Sequence, residues 1–262
     1  MRMRPDPFKD APSVVNGAIF IADSHYNPLG RTEVLGLLNA IGRKEIETPQ
    51  LFLMGDISDL LIGAFAYSLE RNRALIESID AVAASGIETW YFEGNHDFAL
   101  KGVFDERVKI VAKSNQPKHF KFNAERVWLL HGDYRVELRY EIYAAFMRTK
   151  IGLCLTNILS LNFCNNGLLK LIERRQFNKR LRYDIPDFKT RRVKKIGYLI
   201  DAANLTIEGH FHQNCRFTAK ESGSEARESL YCNLASFACE KSYLRIQSGE
   251  NGAILREEKW ER

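Results

Sequence analysis

Three features of the 262-residue chain predict an α/β fold in which helices flank more than one β-sheet. Apolar runs of strand length alternate with helical patterns through the first half, as packed α/β layers require. Toward the end the pattern turns strand-rich, which supplies a second sheet to close the core. Several apolar runs also stop at short clusters of Asp, Asn, Gly or His, so reactive side chains stand where strands end.

The run Ala18-Ile19-Phe20-Ile21-Ala22 ends at Asp23 and reads as a buried strand, because a short continuous apolar segment suits a strand covered on both faces. A helical pattern follows from about Thr32 to Lys44. Leu51-Phe52-Leu53-Met54 forms the next strand and ends at Gly55-Asp56, with a second helix from Tyr67 to Ser85. Trp90-Tyr91-Phe92 runs into Gly94-Asn95-His96-Asp97, and Val127-Trp128-Leu129-Leu130 into His131-Gly132-Asp133. Three helices are expected next: Glu137 to Lys150, one opening near Asn166-Gly167 and passing through Ile172, and one after Pro186. Asn and Pro are residues that start helices. Leu205-Thr206-Ile207-Glu208 then leads to Gly209-His210-Phe211-His212, and strands at Ser229 to Leu234, Tyr243 to Gln247 and Ala253 to Leu255 finish the chain. His119, outside every cluster and alternating with Lys118 and Lys121, is expected on the surface of a strand.

An apolar content of 45% and a charged content of 27% suit one large globular domain over residues 1–262 and argue against extensive disorder. Met1 to Pro7 carry positive charge but lead into Phe8-Lys9-Asp10 rather than an apolar stretch, so no secretory signal is expected. The longest uncharged run, between Lys150 and Lys170, is interrupted by Thr156, Asn157, Asn162, Asn165, Asn166 and glycines, so no membrane-spanning helix is expected either. Cys154, Cys164, Cys215, Cys232 and Cys239 are odd in number and lack close pairs, which suits reduced thiols in a cytoplasmic protein.

From His131 to His210 the clusters fall silent for 79 positions, and an inserted segment is expected there. Between Arg135 and Lys195 stand fifteen Lys/Arg and five Asp/Glu, a net of +10 in a chain that carries +5 overall. The remainder is therefore about −5. The insertion, 135–195, mixes apolar positions such as Tyr143, Phe146, Leu153, Leu155, Ile158 and Leu159 with basic ones. An amphipathic, basic lobe suits an anionic and greasy partner.

Five of the six histidines fall in the clusters Asp23-Ser24-His25, Gly55-Asp56, Gly94-Asn95-His96-Asp97, His131-Gly132-Asp133 and Gly209-His210-Phe211-His212. Imidazole nitrogens mixed with carboxylate oxygens and one amide oxygen form a donor set for Mn, Fe, Co, Ni or Zn, whereas carboxylates alone would indicate Mg or Ca.

This ordered set, spanning about Ala18 to Asn233, resembles the calcineurin-like metallophosphoesterase superfamily. The resemblance implies a four-layer β-sandwich flanked by helices, with the insertion as a helical lid. It implies two divalent metal ions, manganese above all, one bound by Asp23, His25, Asp56 and His212 and the other by Asp56, Asn95, His131 and His210, with Asp56 as the bridge. Two such cations share a water, lower its pKa and hold the attacking and leaving oxygens of a phosphorus centre. Asn95 and His96 would meet the phosphoryl group, His96 donating to it or to the leaving oxygen while Asp97 orients the His96 ring. Asp133 and Glu93 are expected to structure the loops.

Within the superfamily, the basic helical insertion, with Tyr143, Phe146 and Arg148 soon after His131-Gly132-Asp133, is similar to that of the UDP-2,3-diacylglucosamine hydrolases of lipid A biosynthesis. That similarity implies cleavage of a nucleotide-sugar lipid to UMP and 2,3-diacylglucosamine 1-phosphate at the inner face of a membrane, and the charge of the insertion predicts peripheral attachment to the anionic surface. One position departs from it: the best-known branch of those hydrolases has arginine where this chain has His96. Arg135, Arg139, Arg148, Lys179 and Arg182 are the candidate phosphate or headgroup contacts, and Phe146, Leu153, Leu155, Ile158 and Leu159 the candidate groove lining. A nucleotide or nucleic-acid phosphodiesterase is the alternative, since the same cations attract polyanions and Tyr140, Tyr143, Phe177 and Tyr183 offer stacking surfaces. A noncatalytic scaffold on the same fold would have eroded ligands, and here all seven candidate ligands and His96 are present.

Overall fold

The computed structural model describes residues 8–162, 166–220, 228–250 and 252–261, so Met1 to Pro7, Cys164 and Asn165 of the sequence reading lie outside the described residues. In chain order the elements are β1 (Ile19–Ile21), α1 (Glu33–Gly42), β2 (Gln50–Leu53), β3 (Leu61–Ile62), α2 (Ala66–Arg71), α3 (Arg73–Ala84), β4 (Glu88–Phe92), β5 (Asp97–Phe98), β6 (Val108–Val111), β7 (Lys118–Phe122) and β8 (Glu125–Leu130). They continue with α4 (Leu138–Met147), α5 (Lys150–Asn162), α6 (Gly167–Phe177), α7 (Phe188–Asp201), β9 (Leu205–Glu208), β10 (Cys215–Lys220), β11 (Glu228–Asn233), α8 (Phe237–Glu240), β12 (Ser242–Gly249) and β13 (Gly252–Lys259).

Two mixed sheets face one another. One has the order β13-β12-β1-β2-β4-β6 and the other β10-β11-β9-β8-β7, while β3 and β5 form a small ribbon near the site. The period-2 alternation of a strand decides which side chain goes where. Ile19, Ile21, Leu51 and Leu53 pack against Leu37, Leu38, Ile79 and Val82 of α1 and α3. Their alternates Phe20, Ala22, Phe52 and Met54 fill the space between the sheets with Phe120, Val127, Leu129 and Ile207. Phe20 stacks on Phe52 with ring centroids 4.7 Å apart, and each such buried ring contributes about 1.5–3 kcal/mol by leaving water. On the outer face of the second sheet, Trp128 and Tyr231 lie beneath Phe188, Ile196 and Ile200 of α7.

β1, β2 and β4 run parallel in the first sheet. β8 and β9 run parallel in the second. Parallel strands share the edge at which they end, which is why sequence clusters so far apart can meet.

Several expected elements are revised. The helix from Tyr67 to Ser85 is broken at Asn72, whose buried side chain donates 2.8 Å bonds to Leu60 O and Ser68 O and accepts one from Ser58 Oγ at 2.6 Å. The helix expected from Glu137 to Lys150 ends at Met147, and Thr149 restarts the chain by accepting Gly152 N on its hydroxyl at 3.0 Å. Asn166 precedes α6 but makes no side-chain cap, and Asp187 separates Pro186 from α7. The short strands β3, β5, β6 and β10 were not foreseen. His119 lies on β7 yet is partly covered, its ring 4.8 Å from Phe8 and 4.0 Å from Trp128. Cys154, Cys215, Cys232 and Cys239 are free thiols. Among the described residues, no helix is long and apolar enough to cross a membrane.

Candidate metal centre

Asp23 follows β1, Asp56 follows β2, Asn95 lies in the turn after β4, His131 follows β8, and His210 and His212 follow β9. Their side chains form two groups, Asp23 with His25 and His212, and Asp56 with His131 and His210, and in each the ligand atoms lie within 4.8 Å of one another. Asn95 Oδ1 stands 3.4 Å from His131 Nε2, beside the second group. The structure thus brings all seven expected ligands together where strand ends of the two sheets meet.

The loops that carry them are cross-linked by their own backbones. Asp23 N donates to Gly55 O at 3.1 Å, His25 N to Asp56 O at 3.0 Å and Gly209 N to His131 O at 2.7 Å. His210 N donates to Asp23 Oδ2 at 2.9 Å and ties the second sheet to the first. Five of the ligands hold left-handed backbone, with φ of 52° at Asp23, 46° at His25, 50° at Asp56, 68° at His210 and 56° at His212. Such conformations cost non-glycine residues on the order of 1 kcal/mol or more each and persist where surrounding structure enforces them. Gly55 and Gly94 are required by close approach, since a Cβ on either would collide with the His131 ring or with Asp56.

The donor atoms themselves call for cations. His131 Nδ1 lies 2.9 Å from Met54 O, His212 Nδ1 2.7 Å from Leu181 O, and His25 Nδ1 3.0 Å from Asp59 Oδ1. These oxygens accept hydrogen bonds, so each Nδ1 carries a proton and each neutral ring presents the lone pair of Nε2. His25 Nε2 and His212 Nε2 are 3.4 Å apart, His212 Nε2 is 3.3 Å from Asp23 Oδ1, and His131 Nε2 is 3.5 Å from Asp56 Oδ2. Asp23 Oδ1 is buried and accepts no hydrogen bond among the described residues. Electron pairs converge on electron pairs here, an arrangement that cations between them resolve. The donor set of the two groups fits two divalent transition metals.

Without metal, protons take that place. Burial opposes charge on His131, but Asp56, with Asp133 and Asp23, raises its pKa to about 10. Burial likewise opposes charge on His212, and Asp23 raises it. His210, buried and facing the His131 charge, is lowered to about 3. Burial works against the ionised forms of Asp56 and Asp23, yet the neighbouring imidazoles hold both below the ordinary carboxylate range.

Around the ligands stand residues that the sequence did not single out. Asp59 accepts His25 Nδ1, receives Asn27 Nδ2 at 2.8 Å and Arg31 Nη1 at 3.3 Å, and its carbonyl lies 3.1 Å from His96 Nδ1. Gln116 accepts His131 N at 2.6 Å, and Asn233 Nδ2 donates to Gly209 O at 2.6 Å. Arg192 joins the two loops of the second sheet, donating to Gly132 O at 3.2 Å and to Glu208 Oε2 at 2.6 Å.

Asp97 does not orient the His96 ring. Its oxygens accept the backbone N–H of Asp56, Ile57 and Gly94 and the hydroxyl of Tyr91 at 2.6–3.0 Å, so it fixes the Asp56 loop from beneath. The Asp59 carbonyl holds His96 instead. His96 Nε2 stands 4.0 Å from Asp56 Oδ2, and burial lowers its pKa against the raising effect of Asp56. Glu93 and Asp133 do structure loops: Glu93 accepts Leu100 N at 2.9 Å, and Asp133 accepts Lys113 Nζ at 2.6 Å and the Tyr140 hydroxyl at 2.8 Å.

From this centre an apolar cleft of about 280 Å³ runs under the helical lobe, sharing Asn95, His96 and Lys179 with the metal site. Its apolar walls are Leu60, Ile62, Phe98, Met147, Leu169 and Ile172, and Asp59, Tyr140, Tyr143, Thr156 and Gln176 also face it. Phe146, Leu155, Ile158 and Leu159, expected to line a groove, are instead half-exposed, and Leu153 packs on the Leu60 and Phe98 cluster. Of the five basic candidates, Arg148 and Lys179 line the cleft. Arg182 pairs with Glu240 at 3.0 Å, Arg135 stacks 4.8 Å over Tyr198, and Arg139 is exposed on α4 outside the lining. Arg180, a basic position of the insertion outside those five candidates, lines the metal site.

Metal and proton compete for His131. Its raised pKa stabilises the metal-free chain fully below about pH 6.5, an ordinary imidazole value, and that stabilisation is lost as pH rises through about 10. The metal-bound chain needs His131 neutral, so apparent metal affinity should rise by about tenfold per pH unit for each proton displaced. The gap in Tm between metal-loaded and metal-free protein should widen from pH 6.5 to 8.5, and a gap independent of pH would refute proton displacement. Asp59→Ala should weaken metal binding by about 10- to 100-fold in competition with a chromophoric chelator, since it frees the His25 ring. Unchanged affinity would show that Asp59 does not support the ligand.

Over 115 residues the chain is 28% identical to the UDP-2,3-diacylglucosamine hydrolase of Photorhabdus laumondii subsp. laumondii, a match covering 44% of this chain and 47% of that protein. Over the same length and coverage it is 28% identical to the UDP-2,3-diacylglucosamine hydrolase of Escherichia coli O7:K1 and 25% identical to that of Proteus mirabilis. The chain spans about half the length of the curated relatives it matches. No family model matches it. The resemblance read from the five clusters thus has a counterpart in a distant similarity, over less than half of the chain, to UDP-2,3-diacylglucosamine hydrolases.

Proposed function

We propose that the chain is a metal-dependent phosphohydrolase that adds water across the pyrophosphate of UDP-2,3-diacylglucosamine, giving UMP and 2,3-diacylglucosamine 1-phosphate. The observation that carries this reading is the junction of two imidazole–carboxylate groups with an apolar cleft at Asn95, His96 and Lys179. A lipid-linked pyrophosphate needs both, and the distant similarity to hydrolases of that name supports the choice. Bound at these groups, two divalent cations supply charge neutralisation and a water of lowered pKa.

The protein's own side chains then have distinct tasks. Asp56, which accepts His96 N at 2.8 Å through Oδ1 and turns Oδ2 toward His131, is the proposed bridge between the cations. His96, held through Nδ1, presents Nε2 to a phosphoryl or leaving oxygen. Lys179 at the mouth balances phosphate charge. Arg148 donates to Gly94 O at 2.7 Å and leaves Nε without a partner among the described residues, a donor for a second phosphate oxygen. Leu60, Ile62, Phe98 and Leu169 take an acyl chain out of water.

The outer face of the lobe supports peripheral attachment to an anionic membrane. Leu138, Ile142, Phe146, Ile151, Leu155, Ile158, Leu159 and Leu171 are 47–77% exposed, and Arg139, Lys150, Lys170, Arg174 and Arg175 of the same three helices are exposed too.

Two measurements test the reading. Manganese-dependent release of UMP from UDP-2,3-diacylglucosamine should fall by at least about 10³-fold in Asp56→Asn and by about 10²-fold in His96→Ala. Cleavage of bis-p-nitrophenyl phosphate without UMP release would overturn the substrate and leave nucleotides and nucleic acids to be assayed. In low salt the protein should co-sediment with phosphatidylglycerol vesicles but not phosphatidylcholine ones, and Ile142→Asp with Ile151→Asp should abolish this. Wild type remaining in the supernatant would defeat the membrane assignment.

A further inference from the structure

On the far side of the Gly209-His210-Phe211-His212 loop lies a second concavity, of about 520 Å³, between α7 and the segment that follows His131. None of the residues lining the metal site lines it. Its floor is apolar, with Phe188 and Phe211 in contact at 5.1 Å between ring centroids. Its rim is cationic: Arg135, Arg191, Lys194 and Lys195 stand there against the single acid Glu137.

Three of these cations, Arg191, Lys194 and Lys195, are spaced three and four apart on α7 and therefore share one face of the helix, where like charges repel. No carboxylate among the described residues pairs with Arg191 or Lys194. Arg135 arrives from a different element, on left-handed backbone with φ of 52°, fixed by donation of its N–H to Glu141 at 2.8 Å. Its guanidinium lies 4.8 Å over the Tyr198 ring and 5.8 Å over that of Tyr134, whose hydroxyls are 2.9 Å apart. A strained residue braced on two rings so as to join Arg191 and Lys194, with Lys195 held by its 3.0 Å bond to Val136 O, stands in the geometry of an anion receptor. The fifth cation of the lining, Arg192, is neutralised by Glu208 and serves the loops beneath.

We propose that this pocket is a second anion site, separate from the metal centre, which binds a phosphate group whose apolar attachment rests on Phe188 and Phe211. The same chemistry is offered by a membrane lipid headgroup and by a free phosphorylated metabolite. The reading does not rest on the substrate proposed above.

The test is a calorimetric titration of the metal-loaded full-length chain with inorganic phosphate. Two classes of site are expected, one at the metals and one at the pocket. Arg191→Glu with Lys194→Glu should remove the second class while leaving hydrolysis of bis-p-nitrophenyl phosphate unchanged, and that activity also reports that the variant folds. Arg135→Ala, on another element, should weaken the same class by about tenfold, the loss of one charge-assisted contact. A single class in wild type, or two classes in the double variant, overturns the proposal. Phosphatidylglycerol vesicles that displace phosphate from the second class in wild type identify the source as a lipid headgroup, whereas phosphate binding that vesicles leave intact identifies a soluble ligand.

Discussion

Two carboxylates, Asp23 and Asp56, are buried at the meeting point of two sheets, and four imidazoles are turned so that their nitrogens face those oxygens. Charge taken out of water must be balanced where it lies, or the chain will not keep it there. The local structure follows from that requirement. The left-handed backbone at five ligands is tolerated because strands β1, β2, β8 and β9 fix the approach on both sides, with the aromatic core around Phe20 and Phe52 holding the sheets together. The clusters keep glycine at Gly55 and Gly94 because the ligand side chains occupy the space of a Cβ. Asp97, accepting a ring of backbone N–H groups, keeps the Asp56 loop in its strained form.

The helical lobe is not merely appended to this centre. Arg31 reaches Asp59, which orients His25, and also donates to Gln176 O at 3.0 Å and Phe177 O at 2.6 Å at the end of α6. A helix C-terminus carries unpaired carbonyls and partial negative charge, so a guanidinium there is well placed. Glu173 on the same helix, itself buried, receives Arg71 at 2.8 Å and Tyr67 at 2.9 Å. On the opposite side Arg192 of α7 holds the loops after β8 and β9. With Arg148, which donates to Gly94 O, three arginines bind the lobe to the loops of the candidate ligands, and a displacement of α6 or α7 bears on their orientation.

The strands that lead into the five clusters and the seven candidate ligands were legible because apolar runs of strand length stop at Asp, Asn and His, residue types that are scarce on buried strands. Asp59 was not legible: in Ile57-Ser58-Asp59 it looks like any turn residue, and only folding puts it under His25. Asp97 misled for the opposite reason. It is adjacent to His96 in sequence, but the chain turns there, and the Asp97 carboxylate is taken up by the backbone N–H groups of Asp56, Ile57 and Gly94. The basic residues of the lobe illustrate a third limit. Arg148 and Lys179 face the cleft while Arg135, Arg139 and Arg182 do not, and the phase of each helix against the site depends on contacts such as Leu169 with Phe98, which composition does not encode. The helix expected from Tyr67 to Ser85 failed likewise, because the Asn72 side chain bonds Leu60 O and Ser58 Oγ of the preceding loop as well as Ser68 O of α2.

The charge of the lobe acts at two ranges. A net of +10 between Arg135 and Lys195 is spread over an outer surface where salt screens it beyond about 8–10 Å, so it gathers anions without choosing among them. Selection requires cations held at short range and partly dry, and the extended stretch from Lys179 to Ile185 divides that task. Lys179, Leu181 and Tyr183 line the metal site, and Leu181 O accepts the His212 Nδ1 proton. Ile185 lines the basic pocket, and its N–H donates at 2.9 Å to Gln213 Oε1, one residue beyond His212. One short segment therefore forms a wall of both concavities while orienting the candidate ligand His212, which makes its backbone, rather than any single lysine, the element that sets how the lobe meets the candidate metal centre.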